Sequence, residues 1–123
     1  MADGVTAANA NSALGTWTGS AANVQLHTGA PGANGTANVS SVTTRPAVTW
    51  ASASAGSIAA NGTLPAWTNW AGTNGEVDTD ISFWSASTSG TFEFSMALNS
   101  SVTMNTGDSL TLTSISVSIP VAS

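Results

Sequence analysis

His27 is the single histidine of the 123-residue chain, and Glu76, Asp78 and Asp80 form its densest acidic run. A histidine serves as a general base when a carboxylate orients it and a nucleophile stands within hydrogen-bond reach. Nothing in the sequence around His27 places either group beside it, so the expectation is a structural histidine that hydrogen-bonds a loop. Alternation in Gly75-Glu-Val-Asp-Thr-Asp-Ile81 would point three carboxylates the same way in an extended segment, a pattern that suits a hard cation such as Ca²⁺. The spacing and closing Glu of an EF-hand are absent, and a solvated acidic loop is the simpler expectation, with no metal bound. Adding Glu93 supplies the parts of a paired-carboxylate glycosidase with exposed tryptophans as sugar platforms, yet no spacing singles out a pair.

The remaining composition narrows the chemistry further. The chain has no Cys, one residue that is Lys or Arg (Arg45), six that are Asp or Glu, and only 6% charged residues in all. A thiolate nucleophile, a Schiff-base lysine, a zinc cage and a phosphate-clamping loop all lack their parts. A nucleic-acid binder needs a basic stripe to displace counterions, and an anionic membrane needs a basic face, so neither partner is expected. The composition points to a protein that is not an enzyme and carries no cofactor. One domain fits this length. No apolar run approaches the roughly 20 residues that span a bilayer, and Met1-Ala2-Asp3-Gly4 has no secretory-signal character, so synthesis in a cytoplasm is expected. A mean hydropathy of +0.16, 41% hydrophobic residues and five Trp favour a folded domain over a disordered one despite the abundant Ser, Thr, Ala and Asn.

These side chains must be positioned by short strands, because turn residues recur at short intervals with period-2 alternation between them. Residues 1–20 read as an N-terminal arm or as a short helix capped by Thr6 and ending at Gly15, and residues 21–123 as the β domain. Asn23–Thr28 alternates as a strand, followed by a loop over Gly29–Gly35. Arg45–Ala51 reads as a strand with Pro46 near its start. Trp67 and Trp70, three apart, fall on opposite faces of a regular strand, so one of them should face outward. Ile81–Ser85 and Thr91–Leu98 form a hairpin in which Phe92, Phe94, Met96 and Leu98 share a face. Leu110–Ile119 reads as one strand whose alternation changes phase at Thr113-Ser114, as a bulge would cause. About seven or eight short strands make an all-β, antiparallel β-sandwich.

The outer faces of such a sandwich would carry Ser and Thr instead of Lys and Glu. Charged edges are the usual guard against edge-to-edge aggregation, so another surface must cover these edges, and assembly into an oligomer or onto a larger lattice follows. Trp17, on the N-terminal segment, and the outward one of Trp67 and Trp70 are the candidate partner contacts, while Trp50 and Trp84 belong in the core or at a subunit contact.

Several motifs also resemble a known family. Leu26-His-Thr-Gly-Ala-Pro-Gly32, Arg45-Pro-Ala-Val-Thr-Trp50, the stretch Asn69–Ser87 with Ser89-Gly-Thr-Phe92, and Gly107-Asp-Ser-Leu-Thr-Leu112 together resemble small virion structural proteins of tailed bacteriophages, especially those of actinobacteria. The resemblance covers about residues 20–119. It implies a non-enzymatic structural part of the virion, since members are described variously as head decoration and as tail or tail-fibre proteins. Taken together with the neutral, uncovered surface, the expectation is a capsid decoration protein, clustered as a homotrimer on the outer face of the major capsid protein lattice and stabilising the head. A tail or tail-fibre protein contacting the host is the alternative, and a carbohydrate-binding surface module another. No catalytic residue is carried over.

Overall fold

A computed structural model describes residues 3–122; Met1 and Ala2, the first residues of the expected N-terminal segment, lie outside the described residues. That segment is helical: α1 spans Ala7–Gly19, and the Thr6 side chain accepts a hydrogen bond from the Asn9 amide at 3.2 Å. The helix runs past Gly15, the expected stop. Gly15 costs about 1 kcal/mol relative to Ala in a helix interior, and docking outweighs it, because Ala10, Leu14 and Thr18 recur every four residues as one buried stripe. Asn11 anchors the helix to the strands by accepting from the Gly56 amide at 2.9 Å.

Seven strands follow: β1 (Asn23–His27), β2 (Ser57–Ala59), β3 (Ala66–Trp67), β4 (Glu76–Trp84), β5 (Phe92–Met104), β6 (Leu110–Thr111) and β7 (Ser116–Ser118). All pairings are antiparallel, in a three-stranded sheet of order β1-β4-β5 and two-stranded pieces β2-β7 and β3-β6. The architecture is an all-β, sandwich-like fold, as the alternation implied. Val24, Leu26, Ile81 and Phe83 form the inner face of the large sheet and pack with Val48, Trp67, Trp70 and Ile115. Phe83 stacks on Phe94 with ring centroids 4.4 Å apart, and Trp50 leans on Phe83 at 5.6 Å.

Several sequence expectations change. Trp67 and Trp70 are both buried, at 3% and 2% exposure. β3 ends at Trp67, and Asn69 takes a left-handed turn (φ 51°) that returns the second indole to the core; asparagine adopts this conformation more readily than most residues. Arg45–Ala51 is not a strand. Pro46 removes a ladder donor, and the segment is held by isolated bridges, Asn23 with Ala47 and Trp50 with Ala60. Leu110–Ile119 is two strands in two different sheet pieces, so its phase change marks a break and not a bulge. The β4–β5 hairpin forms, but a register shift between Phe83 and Trp84 pairs Trp84 with Phe92. Phe92 accordingly packs against Trp84, with centroids 5.6 Å apart, and leaves the face shared by Phe94 and Met96.

Candidate functional site

Along β1 and β4 the second face of the large sheet is buried as well, and it holds the polar residues. His27, Ser82 and Trp84 line up there because β1 and β4 pair Asn23 with Trp84, Gln25 with Ser82 and His27 with Asp80. His27 Nδ1 lies 2.8 Å from the Ala37 carbonyl oxygen, and Nε2 lies 2.6 Å from Ser82 Oγ. A carbonyl only accepts, so Nδ1 carries the proton and Nε2 accepts from the Ser82 hydroxyl. Ser82 Oγ in turn accepts from the Trp84 indole N–H at 2.7 Å. Every donor in this chain of bonds is used with a neutral imidazole, and burial lowers the His27 pKa in the same sense. His27 and Ser82 are both fully buried, no carboxylate orients the ring, and the pair functions as a buttress for the 28–38 loop. The histidine thus has the loop-bonding role expected of it; Ser82 was not singled out, although its parity with Trp84 in the alternating strand was the available signal.

The acidic run separates into two environments. Glu76 accepts from Ser40 Oγ at 2.5 Å and from the Ser41 amide at 2.9 Å. Burial pushes the Glu76 pKa up, but these hydrogen bonds outweigh it and the net shift is downward. Asp78 is fully buried, and no donor reaches either of its oxygens. Burial, then the adjoining Glu76 carboxylate, pushes the Asp78 pKa up to about 7. A carboxyl beside a carboxylate becomes a hydrogen bond when one of them carries a proton, and the opposed shifts assign that proton to Asp78. Asp80 stands apart. A register shift falls between Asp78 and Asp80, and Asp80 accepts from Thr79 Oγ1 at 2.6 Å. Among the described residues no three His, Cys, Asp or Glu side chains gather closely enough to hold a metal ion. The solvated acidic loop of the sequence reading is therefore corrected at Asp78, which lies inside the protein on β4. Glu93 lies near the Trp84 end of the hairpin and Glu76 at the opposite end of β4, roughly 26 Å along an extended strand, far beyond the spacing of glycosidase carboxylates.

Arg45 closes the polar face. Its Nε donates to Gln25 Oε1 at 3.1 Å, and one terminal nitrogen donates to the carbonyls of Ser89 and Ala86 at 2.6 and 3.3 Å. The only strong cation of the chain is thus spent inside the fold, tying the β4–β5 turn to β1.

What remains for contact with other molecules is thinly charged, with Asp3 and Asp108 exposed, and includes one large aromatic. Trp17 is 48% exposed, whereas Trp50, Trp67, Trp70 and Trp84 each donate their indole N–H within the protein. Trp17 borders a groove of about 540 Å³ floored by Phe94, Met96 and Val117, between β5 and β7. The partner-contact expectation therefore keeps Trp17 as a surface residue and loses Trp67 and Trp70 to the core. No helix among the described residues is long and apolar enough to cross a membrane.

The molecule is thus a small β-sandwich whose buried polar face braces its loops and whose surface presents Trp17. Residues 4–120 match the family model described as podophage GP4 fiber I protein gp80. The chain belongs to this family, and is a structural component of a phage virion. No curated protein sequence matches it.

Proposed function

We propose that this chain is a fibre component on the tail side of the virion, contacting the host surface through its thinly charged, Trp17-bearing exterior and acting without catalysis. The observation that carries the reading is the family match over residues 4–120, whose description is a fibre. It supports the tail-fibre alternative better than decoration of the capsid. Trp17 is the exposed tryptophan available for stacking on a host glycan or packing against a host protein. Copies act together as a homo-oligomer, each contact weak and the ensemble strong through avidity.

The test is the number of copies per purified particle, by quantitative mass spectrometry against the major capsid protein, with antibody labelling to place them. A small number located at the tail supports the fibre reading. A number comparable with the shell protein, spread over the head, returns the capsid decoration reading and makes the major capsid protein the partner.

A further inference from the structure

The large sheet has two edges, and the chain treats them differently. Along β1 the edge is covered: the Val24 amide donates to Pro46, the Thr28 amide to Asn38 and the Ser40 amide to Leu26. Along β5 the outer edge is bare. β5 pairs with β4 alone, and no other backbone hydrogen bond among the described residues engages Phe92–Thr103. The strand has no proline and one charge, Glu93, so the residue types that commonly blunt an edge are nearly absent, and only the register shifts on either side of Phe94–Ala97 interrupt it. Its regular part is short. Phe94–Ala97 stays in step with Phe83–Asp80, and four residues, Leu98–Ser101, then stand against Thr79 alone. Phe94 and Met96 are only half-buried on the inner face, while Ser95 and Ala97 are exposed on the other.

An added strand pairs with the unused amides and carbonyls of an edge along its length, which neither a helix nor a sugar does. We propose that the occupant is a second copy of this chain, its β5 antiparallel to the first across a two-fold axis at Ser95. Self-complementarity is what selects it. In a strand, alternate residues turn their backbone groups outward, so two identical edges pair odd residues with odd and even with even. With Ser95 opposite its own copy, Phe94 meets Met96 of the second copy on the inner face, and Glu93 meets Ala97. The apolar row continues from one copy into the next, no carboxylate faces another, and the groove beside Phe94 and Val117 is drawn into the contact. The homotrimer expected from the sequence requires a head-to-tail contact; this edge favours a pair. The pairing is independent of where on the particle the chain sits, so the copy-number test leaves it untouched.

The experiment is the mass in solution of three forms of the full chain: wild type, Ser95→Lys and Ser95→Glu. Ser95 is exposed and makes no side-chain hydrogen bond among those described, so the variants should melt as the wild type does, which a thermal scan verifies. The expected result is a wild-type mass of twice the 12.1 kDa chain, the mass of a single chain for either variant alone at low salt, and recovery of the pair when Lys and Glu variants are mixed. A wild type that stays single at high concentration or forms a trimer, variants that stay paired, or a mixture that fails to pair would each overturn the proposal.

Discussion

Arg45 lies over the ring of Trp84, its Cζ 4.0 Å from the centroid. The same guanidinium bonds Gln25 on β1 and the carbonyls of Ala86 and Ser89 in the hairpin turn. A planar fork with separate donors serves these three directions, and an ammonium on a flexible stem does not. Arg45→Ala should therefore lower stability by about 1–3 kcal/mol, from the lost cation–π contact and hydrogen bonds. Arg45→Lys should recover less than half of that loss, measured by urea denaturation. Full recovery by Lys would show that charge alone matters here.

Ser82 is both donor to His27 and acceptor from Trp84, so Ser82→Ala strands two buried groups at once. Each unpaired buried group costs about 1–3 kcal/mol, and a loss of roughly 2–4 kcal/mol is expected. Nitrogen-15 shifts of the imidazole should show the Nδ1-protonated tautomer in the wild type. Because burial holds the folded His27 pKa below its ordinary 6.5, this residue's contribution is intact above pH 6.5 and declines as pH falls below it, when the unfolded chain takes up the proton first.

The loop under Phe92 depends on a residue without a side chain. Gly35 has φ 72°, and a Cβ there would enter the space of the Phe92 ring. Gly107 has φ 89° but open space around it, so it isolates the backbone strain. Gly107→Ala should cost about 1 kcal/mol and Gly35→Ala clearly more, about 2–3 kcal/mol, read as midpoint shifts in the same denaturant. Equal losses would mean that the Phe92 contact contributes nothing.

The β4–β5 hairpin and the inner row of Val24, Leu26, Ile81 and Phe83 were legible in the sequence because they rest on simple alternation across regular pairs. What was not legible depends on departures from it. One residue at φ 51°, Asn69, decides that Trp70 turns inward. One register shift beside Trp84 moves Phe92 to the other face. The second buried face of the sheet was hidden for a different reason. Asn23, Gln25, Asp80 and Ser82 are polar, so alternation alone gives no sign that their face is buried, although the expected loop contact of His27 pointed that way. The loops of residues 28–48 cover that face by hydrogen bonding, and side-chain polarity carries no trace of a covering loop 10 to 60 residues away in sequence. The candidate contact surface was legible only in part: scarcity of charge signalled an uncovered edge, while which strand remained bare depended on the order β1-β4-β5.

Asp78 makes stability depend on pH in the opposite sense to His27. Its folded pKa of about 7 lies above the ordinary 3.8. Below pH 3.8 both folded and unfolded chains carry the proton. Between 3.8 and 7 the unfolded chain releases it while the folded chain retains it, so this group's contribution falls as pH rises through that window and is lost above 7. Above 7 a buried carboxylate faces the Glu76 carboxylate with no donor nearby. Asp78→Asn replaces the titrating proton with a permanent amide donor of nearly the same shape. The difference in unfolding free energy, Asn variant minus wild type, should grow from pH 4 to 7 by at most about 4 kcal/mol and level off above it, moving in favour of the variant. Because His27 is common to both proteins, its own pH dependence cancels in that difference. A difference flat across the range would mean that Asp78 is already ionised in the folded protein at pH 4 and that a donor reaches it in solution.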